Sequence, residues 1–264
     1  MLMKLLKYEW KTTARVLLPV GAGVLGFSLL TGLMNLLLDY PKLPEVVGWL
    51  KGTVSVLAVL ALIFVAGAVV FVNVQRFYRL LGEQGYLMFS LPVPVWQHIA
   101  AKLLCACVWA VLCVPYLIVC SSLLNMDFTW LWSGWSGLTW NPWGVAIVLQ
   151  VSLVLLAAVC CGYLHMYLCC AIGAQFGQQR LLASIVSYFV LGFVEQIAGT
   201  LLMILLAVSM VQSNAWQVWS QALSQNAALS SNLILLVLLV GMMLFSAVLW
   251  AVTQWLMTRR LNLV

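Results

Sequence analysis

The sequence predicts an all-α membrane protein of six transmembrane helices, preceded by an N-terminal amphipathic interfacial helix. Three observations predict it. Of 264 residues, 65% are apolar and only 7% charged, whereas a soluble domain carries about 25% charged residues to face water. The apolar residues come in long blocks of the length a helix needs to cross lipid. The charges collect at the ends of those blocks. Sustained alternation is absent, so a closed β-barrel, the other spanning architecture, does not fit.

The elements follow in order. In residues 1–15, Lys4, Lys7, Lys11 and Arg15 recur at spacings of three and four, which places them in one basic stripe on a helix. Leu2, Leu6, Trp10 and Leu17 fall opposite. A basic stripe against an apolar face suits a helix lying in the membrane interface and anchoring orientation. Glu9 projects from the less basic side; it is read as a surface ion pair or as a docking contact to another subunit. The first span is expected over 16–38. It is too long for a signal-peptide core and lacks a small-x-small cleavage pattern. Gly21, Gly23 and Gly26 would permit close helix contact there. Further spans are expected over 54–74, 103–124, 145–171, 182–211 and 232–256. Pro115 is expected to kink the third. No internal repeat and no separate soluble domain is visible, so residues 1–264 read as one transmembrane domain.

Two uncharacteristic stretches join the spans. Trp130, Trp132, Trp135, Trp140 and Trp143 crowd one loop, where indole rings favour the headgroup zone. Gln212–Ser231 is uncharged, with Trp216 and Trp219 at helical spacing, and reads as a surface helix or a re-entrant segment. With the N-terminus placed inside, the inner segments hold Lys4, Lys7, Lys11, Arg15, Arg76, Arg79, Lys102, Arg180, Arg259 and Arg260, against Lys42 and Lys51 outside. Ten against two is a strong positive-inside bias. It puts both termini in the cytoplasm and explains the net charge of +6 by topology rather than by nucleic-acid binding.

Chemistry-bearing residues are few. The eight cysteines lie inside apolar segments, where Cys packs as a small hydrophobe. The pairs Cys160-Cys161 and Cys169-Cys170 lack the spacing and the His partners of a zinc site. His165 reads as a hydrogen-bonded core residue rather than a ligand. No HExxH, GxSxG or P-loop pattern occurs, so enzyme chemistry has little support. Glu195 is the exception: an acid deep in the fifth span is costly unless it faces a cavity, finds a partner or stays protonated. Glu195, with Gly192 and Gly199 at helical spacing, is therefore a candidate for a substrate path or gate. The alternative is a protonated carboxyl bonded to a neighbouring helix.

The most informative segment is 75–102, QRFYRLLGEQGYLMFSLPVPVWQHIAAK. Gly82 and Gly85 bracket Glu83, an apolar run leads to Pro92 and Pro94, and Trp96 to Lys102 opens a new helix. A membrane-parallel helix broken by a Pro-rich turn would present a rigid knob to a groove on a soluble partner. The plainer alternative is a loop in which proline stops one helix and starts the next.

In the basic start, the six spans and this loop, the chain resembles the membrane subunit of ABC transporters of the ABC-2 permease type, in the short form common in Gram-positive bacteria. Glu83, Gly85, Leu91, Pro92 and Lys102 match the order of that family's loop. Val93-Pro94-Val95-Trp96 departs from it, since a polar or basic residue commonly follows the proline. The resemblance implies an exporter permease of the cell membrane that pairs with a second, like or related permease subunit. Each subunit would dock a cytoplasmic ATPase through a coupling helix between spans two and three, carrying Glu83, Gly85, Tyr86, Leu91, Pro92, Pro94, Trp96 and Lys102. ATP and magnesium would bind the ATPase and no cofactor this chain. The substrate implied is hydrophobic or amphipathic: a peptide, a drug or a lipid. The competing expectations are an ion- or proton-coupled carrier using Glu195 and a non-transporting immunity or sensor subunit.

Overall fold

The computed structural model describes residues 2–38, 45–81, 94–129, 133–134, 142–176, 179–212, 217, 221 and 227–259. These form six helices: α1 (Leu2–Leu37), α2 (Glu45–Leu80), α3 (Val95–Asn125), α4 (Pro142–Gly173), α5 (Arg180–Gln212) and α6 (Ala227–Arg259). All six are long and apolar enough to cross a membrane, and no strand occurs among the described residues. The chain is thus all-helical, with the build of a multi-pass membrane protein.

The helices outrun the apolar blocks that announced them. α1 and α2 have 36 residues each, about 54 Å at 1.5 Å per residue, against a hydrocarbon core of about 30 Å. Residues 2–15 are not a separate helix but the first turns of α1, which continues through Pro19. That proline lacks an N–H and removes one hydrogen bond, the one to the Arg15 carbonyl, without ending the helix. α3 likewise continues through Pro115.

The chain divides into two compact units, Met1–Arg76 with Trp96–Leu138, and Phe77–Val95 with Thr139–Val264. The first holds α1, most of α2 and α3. Its interior is built on Leu17, Val69, Cys105 and Trp109, with Leu6, Ala14, Val72 and Cys113 packed against them. Trp10 stacks on Trp109 at 4.7 Å between ring centroids. Toward the far end, Asn35 Nδ2 donates to Ser55 Oγ and to the Leu124 carbonyl, both at 3.3 Å, and so bonds α1 to α2 and α3. The close helix approach falls at Gly32 rather than at the expected Gly21, Gly23 and Gly26. A Cβ at Gly32 would collide with the Leu123 carbonyl oxygen, whereas Gly23 and Gly26 face open space and Gly21 has only ordinary contact with the Tyr116 ring. α3 ends in a Schellman turn, with Met126 N bonded to Leu123 O and Asp127 N to Ser122 O. Met126 takes the left-handed conformation, φ 49°, that this motif requires. Asp127 Oδ1 then accepts from Thr129 N and Oγ1, which holds its carboxyl below the usual carboxylate range.

In the second unit α4 packs against both α5 and α6. Tyr167 is fully buried and stacks on Phe77 at 4.0 Å. Cys161 Sγ lies 2.9 Å from Ser246 Oγ, joining α4 to α6. At the α4–α5 turn, a Cβ on Gly173 would collide with Ser184, so only glycine lets the two helix ends approach this closely. α5 is the opposite case: almost its whole length is an exposed apolar surface, suited to lipid or to another helix.

Candidate functional site

Two polar centres stand out in this apolar protein. The first lies in the first unit. Glu9 is 5% exposed, and its carboxylate is shared by Arg76 Nη2 at 2.8 Å and Lys102 Nζ at 2.9 Å. Arg76 Nη1 also donates to the Glu9 carbonyl at 3.0 Å and to Thr13 Oγ1 at 2.7 Å. Lys102 Nζ donates to the Arg76 carbonyl at 3.2 Å, and the Thr13 hydroxyl to the Glu9 carbonyl. Of the two readings of Glu9, the surface ion pair gives way to a buried one within the chain, and Lys102, expected in the docking segment, is enclosed with it instead. Two basic side chains share one carboxylate, and backbone carbonyls complete their hydrogen bonding.

The sequence carried a signal for this. At helical spacing Glu9 falls with Leu6, Thr13 and Leu17, opposite the lysines. An acid on the apolar face of an amphipathic helix needs a partner from elsewhere, although its spacing does not say which cation that is. Lys4, Lys7, Lys11 and Arg15 are exposed along α1, as the stripe predicted, while Trp10 packs on α3.

The second centre lies in the second unit. Glu195 Oε1 on α5 is 3.0 Å from His165 Nδ1 on α4. No partner for Glu195 was visible in the sequence; a separation of 30 positions hid the pair, which only the α4–α5 packing creates. The two side chains remain 27% and 13% exposed because they face an open cavity of about 580 Å³. Its other walls include Cys161, Tyr188, Phe189, Gly192 and Phe245. Tyr188 meets the His165 ring edge-on at 5.0 Å, fixing the imidazole from a second side. Gly192 lines this cavity, whereas Gly199 does not. Neither brings a neighbour close, since a Cβ at either meets open space, and α5 runs unbroken through both.

Of the remaining sequence candidates, Pro94 and Trp96 are exposed beside and at the start of α3. Glu83, Gly85, Tyr86, Leu91 and Pro92 lie outside the described residues, as do Trp130, Trp132, Trp135, Trp140, Trp216 and Trp219. Among the described residues no group of three or more His, Cys, Asp or Glu is placed to hold a metal. Comparison with protein-family models, with curated proteins and with solved structures finds no match.

Proposed function

We propose that the chain is the membrane-spanning permease subunit of an ATP-driven exporter, with its termini in the cytoplasm and a soluble ATPase docked on the segment between α2 and α3. The observation that carries this reading is the Glu9 cluster. Arg76 lies before that segment and Lys102 after it, and both are fastened to α1 through one carboxylate. A push on the segment would thus reach three helices at once, which is what a coupling element has to do. Glu83, Gly85, Tyr86, Leu91 and Pro92 would make the docking contact, with Pro94 and Trp96 at its exposed edge. The ten-to-two distribution of basic residues supports the orientation. A second permease subunit would cover the exposed face of α5. The transported compound would be hydrophobic or amphipathic.

Purification from the native membrane in mild detergent tests this. A stoichiometric ATPase should accompany the chain, and Glu83→Lys should weaken the association without lowering membrane levels. Undiminished co-purification of the variant would count against the docking site, and a chain that purifies alone would count against the permease.

The His165–Glu195 pair favours a second reading, an ion- or proton-coupled carrier. Such a carrier needs an acid with a titratable partner on a cavity wall, and both are present. Transport by reconstituted chain alone, driven by a proton gradient and abolished by Glu195→Gln, would establish this reading over the first.

A further inference from the structure

One face of α1 changes character along its length. Lys4, Lys7, Lys11 and Arg15 occupy it first, and the same helical register continues into Leu18, Ala22 and Leu25. The four basic side chains are exposed. The three that follow line a groove of about 390 Å³ between α1, α2 and α3. Val65 and Ala68 of α2 and Trp109 and Leu112 of α3 form its other walls. The groove is almost wholly apolar and open on one side. The one hydroxyl on its wall, that of Tyr116, is turned away to donate to the Gly21 carbonyl at 2.7 Å, clasping α1 to α3. The polar groups left on the lining are the buried Trp109 indole N–H and the Cys113 thiol, so no charged group lies within the groove, and the stretch from Leu18 to Leu25 runs about 10 Å along the axis. Arg15 stands one turn above Leu18, and Lys11 one turn above Arg15.

This order, cations and then an open apolar channel on a single helix face, is complementary to an anionic amphiphile. The bilayer that surrounds such a protein supplies one. We propose that the groove binds a single anionic phospholipid, with an acyl chain laid along Leu18, Ala22 and Leu25 and the phosphate held by Lys11 and Arg15. Arginine suits this position because its planar fork pairs two phosphate oxygens at once. Basic residues just outside a span attract anionic headgroups in general; the groove adds a fixed place for the chain. The inference does not depend on the exporter reading, since it concerns only α1, α2 and α3.

The test is photo-crosslinking of the full chain in vesicles, using phosphatidylglycerol and phosphatidylcholine that carry a diazirine midway along one acyl chain. Labelling by the anionic lipid should concentrate in residues 17–25 and 109–116, exceed that by the zwitterionic lipid at least threefold, and be competed by unlabelled phosphatidylglycerol. Lys11→Gln with Arg15→Gln should erase the preference between the two lipids. Ala22→Trp, and separately Leu18→Trp, should block the groove and remove the concentrated label with the basic residues intact. Equal labelling by both lipids in the unaltered protein would overturn the proposal, and that measurement needs no variant to fold. Anionic preference that survives both groove-filling substitutions would also overturn it, because the basic stripe would then be gathering lipid without a site. Label spread evenly over the exposed helix faces would do the same.

Discussion

The two units place ionisable residues inside a membrane protein in opposite ways. In the first, the Glu9 carboxylate and Lys102 are buried and Arg76 covers them half-buried, and the two basic side chains also bond to backbone carbonyls and to Thr13. In the second, His165 and Glu195 make one hydrogen bond and keep a side open to a cavity. An enclosed cluster has one low-energy arrangement and serves to fix helices. A pair with one side open to a cavity leaves room for a ligand beside it, and so is suited to respond. The contrast teaches that two acids in an apolar protein can be told apart by the access left to each carboxylate.

The largest effect should come from Glu9→Gln. Removing the anion leaves the buried Lys102 without its carboxylate beside the half-buried Arg76, and breaking a buried pair from one side costs about 3–5 kcal/mol. A fall of that size should appear in the detergent-solubilised unfolding midpoint, and adding Lys102→Met should recover part of it by removing one of the two stranded cations. If Glu9→Gln is instead mild, the cluster is not enclosed and the comparison fails. Next come the contact glycines, one in each unit. Gly32→Ala and Gly173→Ala should each cost about 1–3 kcal/mol, the usual penalty of overpacking, measured in the same way.

Glu195→Gln should be smaller, below about 1 kcal/mol, because interhelical hydrogen bonds in membranes average about 0.6 kcal/mol and the amide oxygen can still accept from His165. Any transport activity should fall far more than stability does; equal losses would make the pair a structural tie like the first. The smallest effects belong to Gly192→Ala and Gly199→Ala, where open space awaits the methyl group. Helix propensity favours alanine there, so stability should be unchanged or rise by about 0.5 kcal/mol. A clear loss in the membrane would show that a second subunit packs on that face of α5.

The fold was legible because it follows from one-dimensional properties. Apolar blocks announced each helix, and exposed Lys4, Lys7, Lys11 and Arg15 fell on the face their spacing gave them. The helix ends were less legible, since hydrogen bonding carries a helix past its apolar stretch, as it carries α1 back to Leu2 and through Pro19. The polar centres were half-legible. Glu9 and Glu195 each stood out as acids in apolar surroundings. Their partners did not, because Arg76, Lys102 and His165 are brought to them by tertiary packing that no local spacing encodes. Gly32 illustrates the same limit: among several glycines of α1 nothing local distinguishes the one that meets a backbone carbonyl.

The Glu9 cluster also bears on how the protein is made. A chain synthesised from its N-terminus commits α1 to the bilayer well before its partners exist. Arg76 follows Glu9 by 67 residues and Lys102 by 93. Glu9 stands about 10 Å short of residue 16 along the axis, where the apolar stretch begins, so α1 can insert while its carboxylate waits in water. Only when the third helix has arrived can the carboxylate be sealed between both cations. Closing the cluster thus waits for three helices, and a nascent chain that stops before Lys102 lacks one of the two cations that enclose its acid.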